Sequence, residues 1–191
     1  MLLHDTRLEG TAPAIAPNVY RVNGSVPLDD ALRWIATYAR MSQGLSQLSV
    51  MCHGFEGSAP DVRSRMTRLE LGFGLQLCRE GLTLATVHRT RCLDGLVATI
   101  ILYACGPART RPGWEGTSGD GRQLCRELAC ATGAEVLAAV ETQYYLQEPR
   151  AGLIKRLFRV GADDTINFGG WEGELYRFSP DGAVMPTIGR W

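Results

Sequence analysis

The sequence predicts an α/β domain built on a mostly parallel sheet, with a small β appendage at its C-terminal end. Three observations carry that prediction. Val97 to Cys105 (VATIILYAC) and Gln47 to Cys52 (QLSVMC) are short apolar runs of the kind that fill strands buried on both faces of a parallel sheet. Helical patterning alternates with such runs, first over 18–52 and again over 97–140, which is the β-α-β signature with its right-handed crossover. After Glu148-Pro149 the pattern changes to short β segments only.

Taken in order, residues 1–17 are a loose lead-in of alanines, prolines and scattered polar residues. Asn18 to Val22 (NVYRV) reads as a strand closed by Asn23-Gly24. Pro27 to Met41 reads as a helix, with Asp29 and Asp30 in its first turn and Ala31, Trp34, Ile35 and Tyr38 at helical spacing. Gly44 ends it, and the strand Gln47–Cys52 follows. Gly54 to Arg68 is polar and broken by Gly and Pro, a loop over the mouth of the site. Leu69 to Leu77 (LELGFGLQL) alternates and carries two glycines, which predicts a twisted hairpin. Thr83 to Leu96 is a helix and Val97 to Ala104 the central strand. Gly106 to Gly121 is a long loop rich in Gly, Pro and Arg. Arg122 to Thr132 is a helix with Leu124, Leu128 and Ala131 on one face, stopped by Gly133, and Glu135 to Val140 is the next strand. Leu153–Val160, Thr165–Phe168, Glu174–Phe178 and Ala183–Thr187 are short strands, the last two joined by the turn Ser179-Pro180-Asp181-Gly182. The implied organisation is a lead-in over 1–17, an α/β domain over 18–148 and a β appendage over 149–191, packed on the same domain.

The 191 residues suffice for one domain with a proper core. With 45% hydrophobic and 21% charged residues the composition is that of a globular protein. Twenty basic residues balance twenty acidic ones, so charge gives no reason to expect nucleic acid or a membrane surface as partner. The opening MLLHDTRLEG lacks the apolar core of a signal peptide, and no apolar run approaches the roughly 20 residues that span a bilayer. The six cysteines form no CxxC pair and read as reduced thiols. The expectation is a cytoplasmic protein, or one delivered without a standard signal peptide.

The two apolar runs each end in a reactive side chain followed by glycine: His53-Gly54 and Cys105-Gly106, 52 positions apart. An imidazole that takes the proton of a thiol makes it a nucleophile. Taken singly, a His or a Cys in such a place is more often packing than chemistry. Strand ends on one edge of a parallel sheet converge, however, and a Gly beside the His lets a backbone N–H approach a substrate carbonyl. His88 and Cys92 lie four apart on the Thr83–Leu96 segment, but two ligands do not make a metal site. Gly72-Phe73-Gly74 lacks the rest of a dinucleotide fingerprint, and there is no Gly-Lys-Ser/Thr. No cofactor or metal is expected.

The pattern of apolar run, His-Gly, spacer, apolar run and Ala-Cys resembles the caspase-like clan of cysteine peptidases, among them the bacterial CHAT domains and the self-cleaving domain of RTX toxins. The matching residues are VMCHG (50–54) and LYACG (102–106), at a separation close to the roughly 50 residues of caspases. QLCRELACATGAEVLAAV (123–140) looks like the helix and strand of bacterial members, so the resemblance covers about 18–145. It implies a caspase-like three-layer sandwich and a hydrolase, a thiol protease working through an acyl-enzyme. Cys105 would be the nucleophile and His53 the general base, with the backbone N–H groups of Gly54 and Cys105 as oxyanion hole. Tyr-Ala-Cys-Gly-Pro is not the Gln-Ala-Cys-Arg-Gly form, so the Asp-reading pocket of caspases does not carry over. Glu141 either borders the first substrate pocket and favours a basic residue or is a solvated glutamate, the plainer reading. Arg109 and Arg111 are exposed charges or mark a processing site. The expected partner is a protein or peptide substrate. The alternative is an inactive caspase-fold module, a structural or regulatory part of a bacterial assembly, docking a protein through the C-terminal β segment.

Overall fold

A computed structural model describes residues 1–8, 10, 18–56, 73–110, 112–116, 119–141, 146–149, 164–167 and 171–187. Its frame is a seven-stranded mixed sheet. In chain order the strands of that sheet are β1 (Leu2–Asp5), β2 (Val19–Val22), β3 (Leu45–Met51), β6 (Val97–Tyr103), β7 (Glu135–Ala139), β10 (Leu175–Phe178) and β11 (Val184–Thr187). The spatial order is β11-β10-β7-β6-β3-β1-β2, which puts β6 at the centre, as the sequence predicts. The neighbours from β2 through β7 pair in parallel; β10 runs antiparallel to β7 and β11 antiparallel to β10. Two further two-stranded antiparallel sheets join β4 (His53–Glu56) to β5 (Phe73–Gln76), and β8 (Leu146–Pro149) to β9 (Asp164–Asn167).

Helix α1 (Leu28–Met41) buries Leu28, Ala31, Leu32, Ile35, Ala36 and Ala39 on one face. Its N-cap position is Pro27, which has no side-chain acceptor to offer. The Glu80 carboxylate supplies one from a distance, accepting from the Leu28 N–H at 2.8 Å, where an anion also suits the helix dipole. Helix α2 (Gly121–Thr132) is closed at both ends by its own sequence: the Asp120 side chain accepts from Gln123 N–H at 3.0 Å, and Gly133 takes the left-handed conformation at φ 65°. Both helices join a 3₁₀ helix, Val87–Leu93, in one core cluster with Leu3, Leu48, Val50, Ile100, Leu102 and Val136 of the sheet. The opposite face carries a smaller cluster of Leu2, Leu8 and Met51, with Val19 and Tyr103 at its margin. Among the described residues the helices therefore cover one face of the sheet.

Four expectations are corrected. The lead-in is not loose at its start: Leu2–Asp5 is a fully buried strand between β2 and β3. His4 and Asp5 hide it in the sequence, since polar residues interrupt an apolar run, yet both are buried because Leu8 and Arg7 provide partners. The predicted 83–96 helix is a 3₁₀ segment, whose buried Val87, Thr90 and Leu93 recur every third residue, the period of that helix. The start of the 54–68 loop is strand β4, and the second half of the predicted 69–77 hairpin is its partner β5, so the pairing joins two segments separated in sequence. Gly74 permits it, because a Cβ there would run into the Phe55 ring. Finally, the 174–187 hairpin is no appendage: it extends the main sheet, and Phe178 is fully buried in the central core. The predicted strand Leu153–Val160 lies outside the described residues, as do 57–68 of the loop.

Candidate active site

β3 and β6 are adjacent and parallel, in a register that pairs Met51 with Tyr103. His53 and Cys105 each stand two residues beyond that pair, so both emerge at the same C-terminal edge of the sheet. There the two side chains stand as partners, each shifting the titration of the other. Both are half-buried, whereas Cys52, Cys78 and Cys125 are buried outright. The expected pair is thus brought together, in contact and open to solvent.

The His53 side chain holds the Cys105 thiol below its ordinary range. Burial opposes this, and the neighbouring Gly54 backbone N–H reinforces it. The Arg109 guanidinium adds a smaller pull in the same direction. Reciprocally, Cys105 raises the His53 imidazole against the effect of burial, helped by the Arg7 carbonyl. Buried thiols without such a partner go the other way: burial pushes Cys78 up to about 12. Both shifts run toward thiolate and imidazolium, the direction that activates a cysteine.

His53 Nε2 lies 3.0 Å from the Arg7 carbonyl oxygen. A carbonyl only accepts, so Nε2 carries the proton and donates, and Nδ1 is the nitrogen left for the Cys105 proton. His53 is also the first residue of β4, where it pairs with Gln76. Gly54 packs its Cα directly on the Cys105 peptide: a Cβ would overlap the Cys105 carbonyl oxygen and lie 3.1 Å from its nitrogen. The Gly54 and Cys105 main chains therefore share one small volume beside the sulfur, which only glycine allows.

Glu141 follows the strand after α2, and its side chain pairs with Arg109 at 3.1 Å. Its carbonyl accepts from Gly106 N–H at 3.0 Å, and Arg109 Nε donates to Val140 O at 3.1 Å. Arg109 is thus not simple exposed charge but a tie between the turn after Cys105 and the tip of β7. Gly106, at φ 56°, leaves room for this, since a Cβ would sit 3.0 Å from Val140 O. Arg111 lies outside the described residues.

Sequence reasoning missed Asp5 and Arg7. Their only signal was an acid and a base two apart after a Leu-Leu pair, too little to mark a strand or a site. Among the described residues no group of three or more His, Cys, Asp or Glu is placed to hold a metal ion, and no helix is long and apolar enough to cross a membrane.

Fold and site together define a mixed α/β protein with a thiol and an imidazole brought together at one edge of its sheet. Comparison with protein families, with curated proteins and with solved structures finds no match for the chain.

Proposed function

We propose that this chain is a cysteine endopeptidase of the caspase-like type, with Cys105 as nucleophile and His53 as its acid–base partner. The single observation that carries the reading is the register of β3 and β6, which brings a partly exposed His53 and a partly exposed Cys105 to the same sheet edge as partners. The mostly parallel sheet, with α1 between β2 and β3 and α2 between β6 and β7, supports a caspase-like core, while the three-layer sandwich goes further than the described helices, which lie on one face. The glycine that packs on the nucleophile's own peptide also supports that core.

The Cys105 thiolate attacks the scissile carbonyl carbon. A C–S bond forms and the carbonyl electron pair moves onto oxygen, beside the Gly54 and Cys105 N–H groups. Collapse breaks the C–N bond as the imidazolium of His53 protonates the leaving amine. Water then attacks the thioester and gives its proton to His53. The C–S bond breaks, and the acid product leaves the thiolate restored.

A panel of peptidyl acyloxymethyl ketones differing in the first-pocket residue tests this. The expected result is covalent labelling of Cys105, slowed in His53→Ala, and peptide turnover that Cys105→Ala abolishes. Turnover that survives Cys105→Ala overturns the nucleophile assignment. Absence of both labelling and turnover, with intact folding, favours the reading as an inactive binding module.

A further inference from the structure

The segment before β2 does more than fill the sheet. Asp5, fully buried at the end of β1, accepts three hydrogen bonds from Arg7: from the backbone N–H at 3.1 Å and Nε at 2.8 Å on Oδ1, and from Nη2 at 2.7 Å on Oδ2. Asp5 Oδ2 also accepts from the Cys78 N–H at 2.9 Å, and Arg7 Nη2 donates to the Cys78 carbonyl at 2.6 Å. The acid–base pair therefore grips both peptide groups of one residue, and that residue is strained. Cys78 has φ 57°, a left-handed conformation that is unfavourable for a non-glycine residue. Such strain persists where the surroundings hold it, and it gathers at functional sites.

Both arms of the grip lead to His53. Arg7 presents its carbonyl to His53 Nε2 at 3.0 Å. Cys78 lies two residues beyond Gln76, the residue that pairs with His53 across β4 and β5. The ring is thus held from one side and its backbone from the other, and each hold is anchored on the same ion pair.

We propose that Asp5 and Arg7 are positioning residues for His53: the ion pair, buried on its Asp5 side, fixes the Arg7 carbonyl that sets the tautomer and aim of the imidazole at Cys105. The proposal rests on the dyad reading above. Asp5 touches neither the imidazole nor the sulfur; it acts on His53 through the Arg7 main chain and, through space, by its charge, which raises the imidazole. Arg7 works through its carbonyl, while its guanidinium serves only to hold that carbonyl still. The charged and titratable neighbours of this unit are Cys52, Cys78 and His53, with Glu80 beside Cys78 and with Cys105 and Arg109 beyond His53.

The test is the pH profile of iodoacetamide alkylation at Cys105, read peptide by peptide in the full chain, with exposed Cys130 as internal standard. Asp5→Asn keeps the shape of the side chain and removes its charge. Arg7→Gln removes the fork at a partly exposed position and is the variant more certain to fold. Both are expected to move the Cys105 inflection upward by about one pH unit, a roughly tenfold loss of labelling rate on the acid limb, with Cys130 unmoved. Arg7→Lys, which keeps the charge without the fork, recovers part of the shift. If His53→Ala moves the inflection while Asp5→Asn and Arg7→Gln leave it in place, the clamp is overturned and the dyad stands. An inflection that His53→Ala leaves in place overturns the dyad reading, and the clamp with it.

Discussion

Gly54 lies against the peptide of Cys105 so closely that a side chain at position 54 would occupy the place of the Cys105 carbonyl oxygen. The N–H of the same glycine helps to hold the Cys105 thiol low. The residue after the histidine is thereby tied to the nucleophile as directly as the histidine itself, and each of these relationships yields a measurable consequence.

Gly54→Ala is expected to push the β4 main chain away from Cys105, because the conflict is with backbone rather than with a flexible side-chain end. Displacing one oxyanion donor costs about 10²–10³-fold in kcat. Peptide turnover should fall by at least that order, and the melting temperature should fall with it because main chain must move. Turnover within twofold of wild type would show that the N–H does not serve the reaction.

The pH dependence has a definite sign. Cys105 is held low first by His53, so alkylation should rise with pH at values below the ordinary thiol range. His53 is held high first by Cys105, so its proton, needed by the leaving amine, should persist above the ordinary imidazole range. Turnover should therefore trace a bell whose acid limb belongs to thiolate formation and whose alkaline limb belongs to loss of the imidazolium. The two limbs report the pair rather than either residue alone. A Cys105 alkylation curve that coincides with that of exposed Cys130 would contradict it.

The C-terminal hairpin is expected to behave as part of the core. Leu175 and Phe178 are buried at 2% and 0% exposure, and β10 pairs with β7 over four residues. Phe178→Ala should cost about 3–5 kcal/mol and lower the single unfolding transition as a whole. Urea unfolding followed by tryptophan fluorescence and by far-UV circular dichroism checks this. A separate early transition, with the main transition unchanged, would restore the hairpin to the status of an appendage.

Much of the frame was legible in the chain. Apolar runs 47–52 and 97–105 become neighbouring central strands, and the 27–41 and 122–132 periodicities become the two helices, with Gly133 ending the second. The β1 strand was illegible because its burial depends on partners it acquires only in the fold: Leu8 for His4 and Arg7 for Asp5. The pairing of β4 with β5 was equally hidden, since alternation within 69–77 says that a strand exists but not where its partner lies.

Spacing and residue type by themselves determined that a histidine and a cysteine stand at the ends of two apolar strands. They determined it because burial on both faces demands uninterrupted apolar side chains and leaves reactive ones to the tips. Only the tertiary structure decided that those tips are neighbours in register, that Arg109 binds the turn to β7, and that the Asp5–Arg7 pair holds the histidine. Those are contacts between residues tens of positions apart, set by sheet order and hydrogen-bond register rather than by any local pattern in the chain.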